Sequence, residues 1–261
     1  VRLLRQMDGY SVSLDAHHSL GDGTPGSESL TITPALYQEL VGLYSDLGFS
    51  HSLAPSNSIL GFVLKHLGRY DQARKQAEEG LALARQVGWR QEEGLTLEVL
   101  GELALAEGSY AEALEFLLES CDILNATGQL EQYEVLAMIG YAYIGLNQTQ
   151  QAAAYLAESL RLASEIPAFF PIITAITGIA LCLASQGDLE RALSLYALAS
   201  CYPRVANSRW FQDIAGNPIS DLAADLPADR ITAAKARGRD QDLNTTVEIL
   251  LGELDGRTLA S

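Results

Sequence analysis

Positive charge is scarce in this chain: 17 Lys and Arg stand against 33 Asp and Glu among 261 residues, a formal net charge of −16 at pH 7. A nucleic acid is bound chiefly by neutralising its phosphates, so a surface this acidic is not expected to bind one directly. Cysteine is scarce too. Cys121, Cys182 and Cys201 are an odd number and lie far apart, in a chain whose residues are 48% apolar. A disulfide framework is therefore excluded as the origin of the fold, and a cytoplasmic location is expected. Long apolar runs are missing. The longest, Phe169 to Ala184, is broken by Pro171, Thr174, Thr177 and Gly178 and falls short of the ~20 residues that span a bilayer. It reads as a buried helix, and no membrane contact is expected. The chain opens on Val1 with no basic-then-apolar leader pattern, and so reads as a piece of something longer.

What the chain has in abundance is repetition. Gly61, Gly101, Gly140 and Ala180 follow one another at steps of 40, 39 and 40 residues. Seven residues after each comes a turn residue: Gly68, Gly108, Asn147 and Gly187. Twelve after each comes an alanine: Ala73, Ala113, Ala152 and Ala192. Sixteen after each sits a side chain able to fill the gap between two helices: Ala77, Leu117, Leu156 and Tyr196. Apolar residues recur at spacings of three and four on both sides of each turn, so each unit is a helical hairpin. The turn residues are those that tolerate the left-handed conformation ending a helix. Ser109 with Glu112 has the form of a capping box, and Asp188 is placed to cap the helix that starts at Leu189. A Gly or Ala on each helix, twelve residues apart, lets two backbones cross closely. A partial fifth copy precedes these, with residues 33–48 as the second helix of an earlier hairpin; residues 9–29, with four glycines and Pro25, read as a loop or a degenerate repeat.

The Leu-Gly pair, the Gly-x-Tyr turns Gly68-Arg-Tyr70 and Gly108-Ser-Tyr110, and the Ala three residues further on resemble the tetratricopeptide repeat in its roughly 40-residue form. The tail narrows the resemblance. Ala236, Gly238, Arg239, Leu243, Val247 and Leu251 look like the closing helix of repeat arrays in bacterial STAND-class signalling ATPases and large LuxR-type regulators. Gly187-Asp-Leu-Glu-Arg-Ala192 looks like the last hairpin of the same arrays. The resemblance implies a C-terminal sensor or scaffold region, attached in the full-length chain to an upstream nucleotide-binding module. No Gly-x-x-x-x-Gly-Lys-Ser/Thr loop is present in these 261 residues, so that ATPase is not in this chain, and no helix-turn-helix follows Leu251.

The fold expected is therefore all-α, a right-handed superhelical solenoid of tetratricopeptide-like hairpins. Its expected divisions are a degenerate repeat with a Gly/Ser-rich loop over 1–53, four repeats at 54–93, 94–132, 133–172 and 173–212, and closing helices over 213–261. In such an array the first helix of each pair lines the groove. That places Phe62, Lys65, His66, Glu98, Glu102, Glu134, Met138, Tyr141, Thr177 and Leu181 on or near one surface. Between Arg90 and Arg161 there are twelve acids and no Lys or Arg. Most of these acids read as a solvated outer face, while those in the groove would attract a basic protein or peptide partner. The cluster Arg230, Lys235, Arg237 and Arg239 reads as charge complementing a helix C-terminus, with Gly238 in the turn before the last helix and Trp210 and Phe211 packing the cap onto the last repeat. His17 and His18 are adjacent and have no ligand-spaced companion, so no metal is expected. No carboxylate pairs with a nucleophile in a recognisable catalytic pattern, and neither enzyme activity nor a cofactor is expected. The expected function is binding, as the sensor or scaffold of a bacterial signalling protein; a self-association module and a free-standing peptide-binding adaptor are the alternatives.

Overall fold

A computed structural model describes residues 34–128, 132–165 and 169–258. The readings of residues 9–29 and of His17 and His18 lie outside them. Among the described residues every regular element is helical. Helix α1 (Pro34–Asp46) is followed by four hairpins: α2 (Ser50–His66) with α3 (Tyr70–Val87), α4 (Arg90–Ala106) with α5 (Tyr110–Thr127), α6 (Gln132–Gly145) with α7 (Thr149–Ser164), and α8 (Phe169–Ser185) with α9 (Leu189–Ala199). Each second helix packs on the first helix of the next pair, and the first helices α2, α4, α6 and α8 lie side by side. The result is a helical-repeat solenoid. None of the described helices is long and apolar enough to cross a membrane.

The hairpin turns are four copies of one motif. Gly68, Gly108, Asn147 and Gly187 have φ of 74°, 75°, 58° and 87°, the left-handed region that the turn chemistry predicts. Around each, two backbone bonds close the helix end: Gly108 N–H donates to Leu105 O at 3.1 Å and Ser109 N–H to Ala104 O at 2.9 Å, with the same pair at the other three turns. This closure displaces the capping box expected at Ser109. Neither Ser109 nor Asp188 makes a side-chain cap bond, because the preceding motif holds both residues at ψ near 60–68°, away from the extended conformation a capping residue uses.

The small residues twelve apart meet where the helices cross. A Cβ added to Gly101 would lie 3.4 Å from Ala113 O and 2.6 Å from Leu117 Cγ, and one added to Gly140 would lie 3.4 Å from Ala152 O and 2.7 Å from Leu156 Cγ. Second helices bury one stripe, in α3 Ala73, Ala77, Leu81 and Ala84. First helices are enclosed on more sides: in α4 nearly every residue from Glu92 to Leu105 is buried. Glu92 and Glu93 therefore do not belong to a solvated face, whereas Glu107, Glu112, Glu115, Glu119 and Asp122 do. Arginines of the preceding hairpin reach into the acid-rich block, Arg74 to Glu107 at 2.6 Å and Arg85 to Glu93 at 2.8 Å.

After α9 the chain leaves the hairpin rhythm. It runs through α10 (Pro203–Ala206), α11 (Arg209–Phe211), a π turn (Gln212–Gly216) and α12 (Asn217–Leu222), lying against first helices α2, α4 and α8. Then α13 (Ala228–Asp240) packs on α9 and α14 (Leu243–Thr258) against α7. Gly238 is not a turn residue. It lies inside α13, where a Cβ would sit 1.9 Å from Ser194 O. Arg230 and Arg237 of the basic cluster both pair with Glu190, at the start of α9, rather than with the C-terminus of their own helix.

Candidate functional site

The face formed by the first helices is filled by the chain's own Pro203–Phe211 stretch. Trp210, fully buried, donates its indole N–H to Glu102 O on α4 at 2.8 Å. Its ring and that of Phe62 both lie beside the Lys65 ammonium, 4.7 and 4.4 Å from centroid to Nζ. Lys65 is itself fully buried and pairs with the Glu102 carboxylate. Arg204 reaches Glu134 of α6 at 3.1 Å and stacks near Phe62 and Phe170. The Ser208 hydroxyl and His66 Nδ1 are 2.7 Å apart, and Tyr70 O–H donates to Asp213 at 2.7 Å. The ring faces and the acid supply negative potential in place of solvent, which offsets part of the desolvation cost of burying the Lys65 cation.

Most of the residues expected in the groove thus come together, but not as an open surface. Phe62, Lys65, Glu102, Met138, Tyr141, Thr177 and Leu181 are buried, while His66, Glu98 and Glu134 are partly buried. Met138 joins the core, and Thr177 O–H donates back to Ile173 O at 2.8 Å within its own helix. Leu181 and Tyr141 border a separate cleft of about 500 Å³ between the hairpin turns and Ile214 and Leu222 of the returning chain, a size within the range of ligand pockets. Sequence reasoning missed Arg204 and Ser208, and it placed Trp210 and Phe211 on the last repeat. Trp210 in fact crosses to α4 and stands over Lys65 of α2. The signal available was the stretch from Pro203 to Asn217, rich in Arg and aromatics and without helical period.

Burial dominates the titration of this cluster. It pushes the Glu98 carboxyl well up, with the Glu134 and Glu102 charges adding to it and Lys65 and Arg204 opposing. Burial also raises Glu102 and lowers Lys65, and their mutual attraction opposes both shifts. An acid whose folded value is raised takes up its proton more readily folded than unfolded. Stability is then greatest below the unfolded value, near 4.3, and declines as pH rises through the folded one. Glu98→Gln, which removes that titration, is expected to raise the melting temperature by a few degrees at pH 7.5, with the gain closing as pH falls toward about 4. A thermal melt series across that range checks it; a Glu98→Gln variant less stable at pH 7.5 would mean that the charge is needed by Lys65 and Arg204.

Residues 52–126 match the tetratricopeptide-repeat family, and residues 133–166 match a second profile of the same repeat. The three hairpins within those stretches are tetratricopeptide repeats, and the fourth stacks on them as a further helical hairpin. Among solved structures the array is similar to BtubC (BKLC) from P. vanneervenii, with a TM-score of 0.52 at 15% identity over 80% of this chain and 92% of that one. It is also similar to nearly identical TPR-like repeats of a Podosopora anserina kinesin light chain protein, with a TM-score of 0.48 at 18% identity over 64% of this chain and 84% of that one. At such identity the first likeness shows the fold alone. A search of curated proteins gives no match. The repeats imply a protein-interaction or scaffold role, and repeat arrays of this kind carry it on surfaces that vary while their packing positions stay fixed.

Proposed function

We propose that the array is a non-catalytic binding module, the sensor or scaffold part of a bacterial signalling protein of the STAND ATPase or transcriptional-regulator type, acting on a basic protein or peptide partner. The closing-helix resemblance at Ala236, Gly238, Arg239, Leu243, Val247 and Leu251 supports the family context. The observation that carries the binding role is the first-helix face itself: Glu134 and the Phe62 ring already hold an arginine of the chain, and the Glu102 carbonyl and Tyr141 ring already hold a tryptophan. Acid and aromatic side chains in that arrangement select cationic, aromatic segments and speed their arrival. A self-association module is the second reading, favoured by Leu47 and Phe49 near the first hairpin and Ile249 on α14, all about half exposed.

The two readings separate in one experiment. The full-length protein is captured from its own cells at low and at high salt, and the bound material is mapped by carboxylate-reactive cross-linking and mass spectrometry. Cross-links from a different, basic protein to α2, α4, α6 or Pro203–Asp213, lost at high salt, are the expected result. Links between copies of this chain through α1 and α14, insensitive to salt, would replace the scaffold reading with the assembly one.

A further inference from the structure

We propose that Pro203–Phe211 is a resident ligand of the first-helix face, occupying a docking site that a partner segment of the same chemistry can take: an arginine followed, six residues on, by an aromatic pair. The proposal rests on the binding reading above and names its partner and its regulation. The resident's geometry is that of a bound peptide and not of a repeat. It comes from outside the hairpin rhythm, is broken into a four-residue helix and a three-residue helix, and lies across helices far away in sequence, as the His66–Ser208 bond shows at a separation of 142. Its contacts are those by which a groove reads a ligand. Arg204 meets a carboxylate, Trp210 donates to a main-chain carbonyl and covers a buried cation, and Ser208 meets a histidine.

The fit is incomplete in a way that favours exchange. Of the three acids on the face, Glu102 pairs with Lys65 and Glu134 with the resident's Arg204, which leaves Glu98 without an ion pair among the described residues. Arg204 Nε is buried without a hydrogen-bond partner. A segment bringing one further cation, or a better-directed guanidinium, would satisfy the site more fully. The resident's advantage is its tether, which gives it a high effective concentration and sets the threshold a partner must exceed.

The test uses the full chain and a fluorescein-labelled peptide with the sequence of residues 202–213, followed by anisotropy. Arg204→Glu sets the resident against Glu98, Glu102 and Glu134, so the peptide is expected to bind this variant at least tenfold more tightly than the unaltered chain. The same peptide with its own arginine equivalent to Arg204 changed to Glu is expected to lose binding. A second variant, His66→Cys/Ser208→Cys in a Cys201→Ser background, joins the resident to α2 reversibly. Oxidised, it is expected to refuse the peptide, and reduced, to accept it. Equal affinity of folded Arg204→Glu and unaltered chain overturns the proposal. If Arg204→Glu does not fold by circular dichroism, the cross-linked variant decides, and peptide binding that ignores its redox state overturns it. Either failure leaves the scaffold reading to its own cross-link map, because a partner can dock on the array with Pro203–Phe211 in place.

Discussion

Gly238→Ala is expected to lower the melting temperature by about 5–10 °C, although alanine is the better helix former by about 1 kcal/mol. The reason is the neighbour. Gly238 lies within α13, and an added Cβ would come within 1.9 Å of Ser194 O and 2.7 Å of Ser194 C, main-chain atoms of α9 that cannot rotate away. Helix α13 would have to lift from α9, and Ala234, fully buried on the same helix, would lose its seat with it. Overpacking of this kind costs about 1–3 kcal/mol and occasionally more. Gly101→Ala meets a softer obstacle, because its nearest atoms are the side-chain Cγ and Cδ2 of Leu117, at 2.6 and 2.7 Å, with the Ala113 carbonyl at 3.4 Å. A smaller loss is expected there, rising to about 3 kcal/mol for Gly101→Leu, whose bulk must push α4 and α5 apart. Gly252→Ala is the control. Nothing lies within 4 Å of its would-be Cβ in α14, so it should stabilise by the propensity difference alone. Thermal melts of the set check the order; a Gly238→Ala chain as stable as Gly252→Ala would mean that α13 does not sit this closely on α9.

These glycines also show what the sequence reveals. Gly61, Gly101 and Gly140 were legible because they recur at one step with their alanine partners twelve residues on, and each contact is made within a single hairpin. The turns were legible for the same reason: a left-handed residue is required locally, so Gly68, Gly108, Asn147 and Gly187 carry their own explanation. Gly238 was not, since a turn glycine and a close-approach glycine leave the same mark, the absence of a Cβ. Only the position of Ser194 distinguishes them. The inner face was legible by half. Helical spacing places Phe62, Lys65, Glu98, Glu102 and Glu134 on neighbouring first helices, and they do meet. Their occupant is separated from them by 108 residues in the Trp210–Glu102 bond, and no periodicity spans such a distance. Charge counting pointed to a cationic ligand without showing that the chain supplies one itself.

Lys65→Met is expected to destabilise the array by about 3–5 kcal/mol at neutral pH, the usual consequence of removing one partner of a buried pair. Glu102 would then be a buried carboxylate facing Glu98 and Glu134, with Arg204 as the remaining cation near it. Its proton affinity, already raised by burial, would rise further once Lys65 no longer opposes the shift. The deficit should therefore shrink as the medium is acidified from neutral toward about 4.3, because the folded chain takes up a proton there that the unfolded chain does not yet hold. Lys65→Met/Glu102→Leu, which removes both charges, should recover most of the loss, since a well-packed apolar pair commonly replaces a buried ion pair at little cost. Denaturant melts at two pH values measure all three states. A harmless single substitution would mean that Arg204 already neutralises Glu102 unaided. A double variant that is stable while holding the peptide of residues 202–213 no differently from the parent would mean that the pair contributes nothing to recognition. The expected result is a stable double variant in which Trp210 has lost the cation beneath its ring, so that the resident segment is held less tightly. The buried pair then serves the selection of an aromatic occupant, for which two apolar side chains of equal volume would be an inadequate substitute.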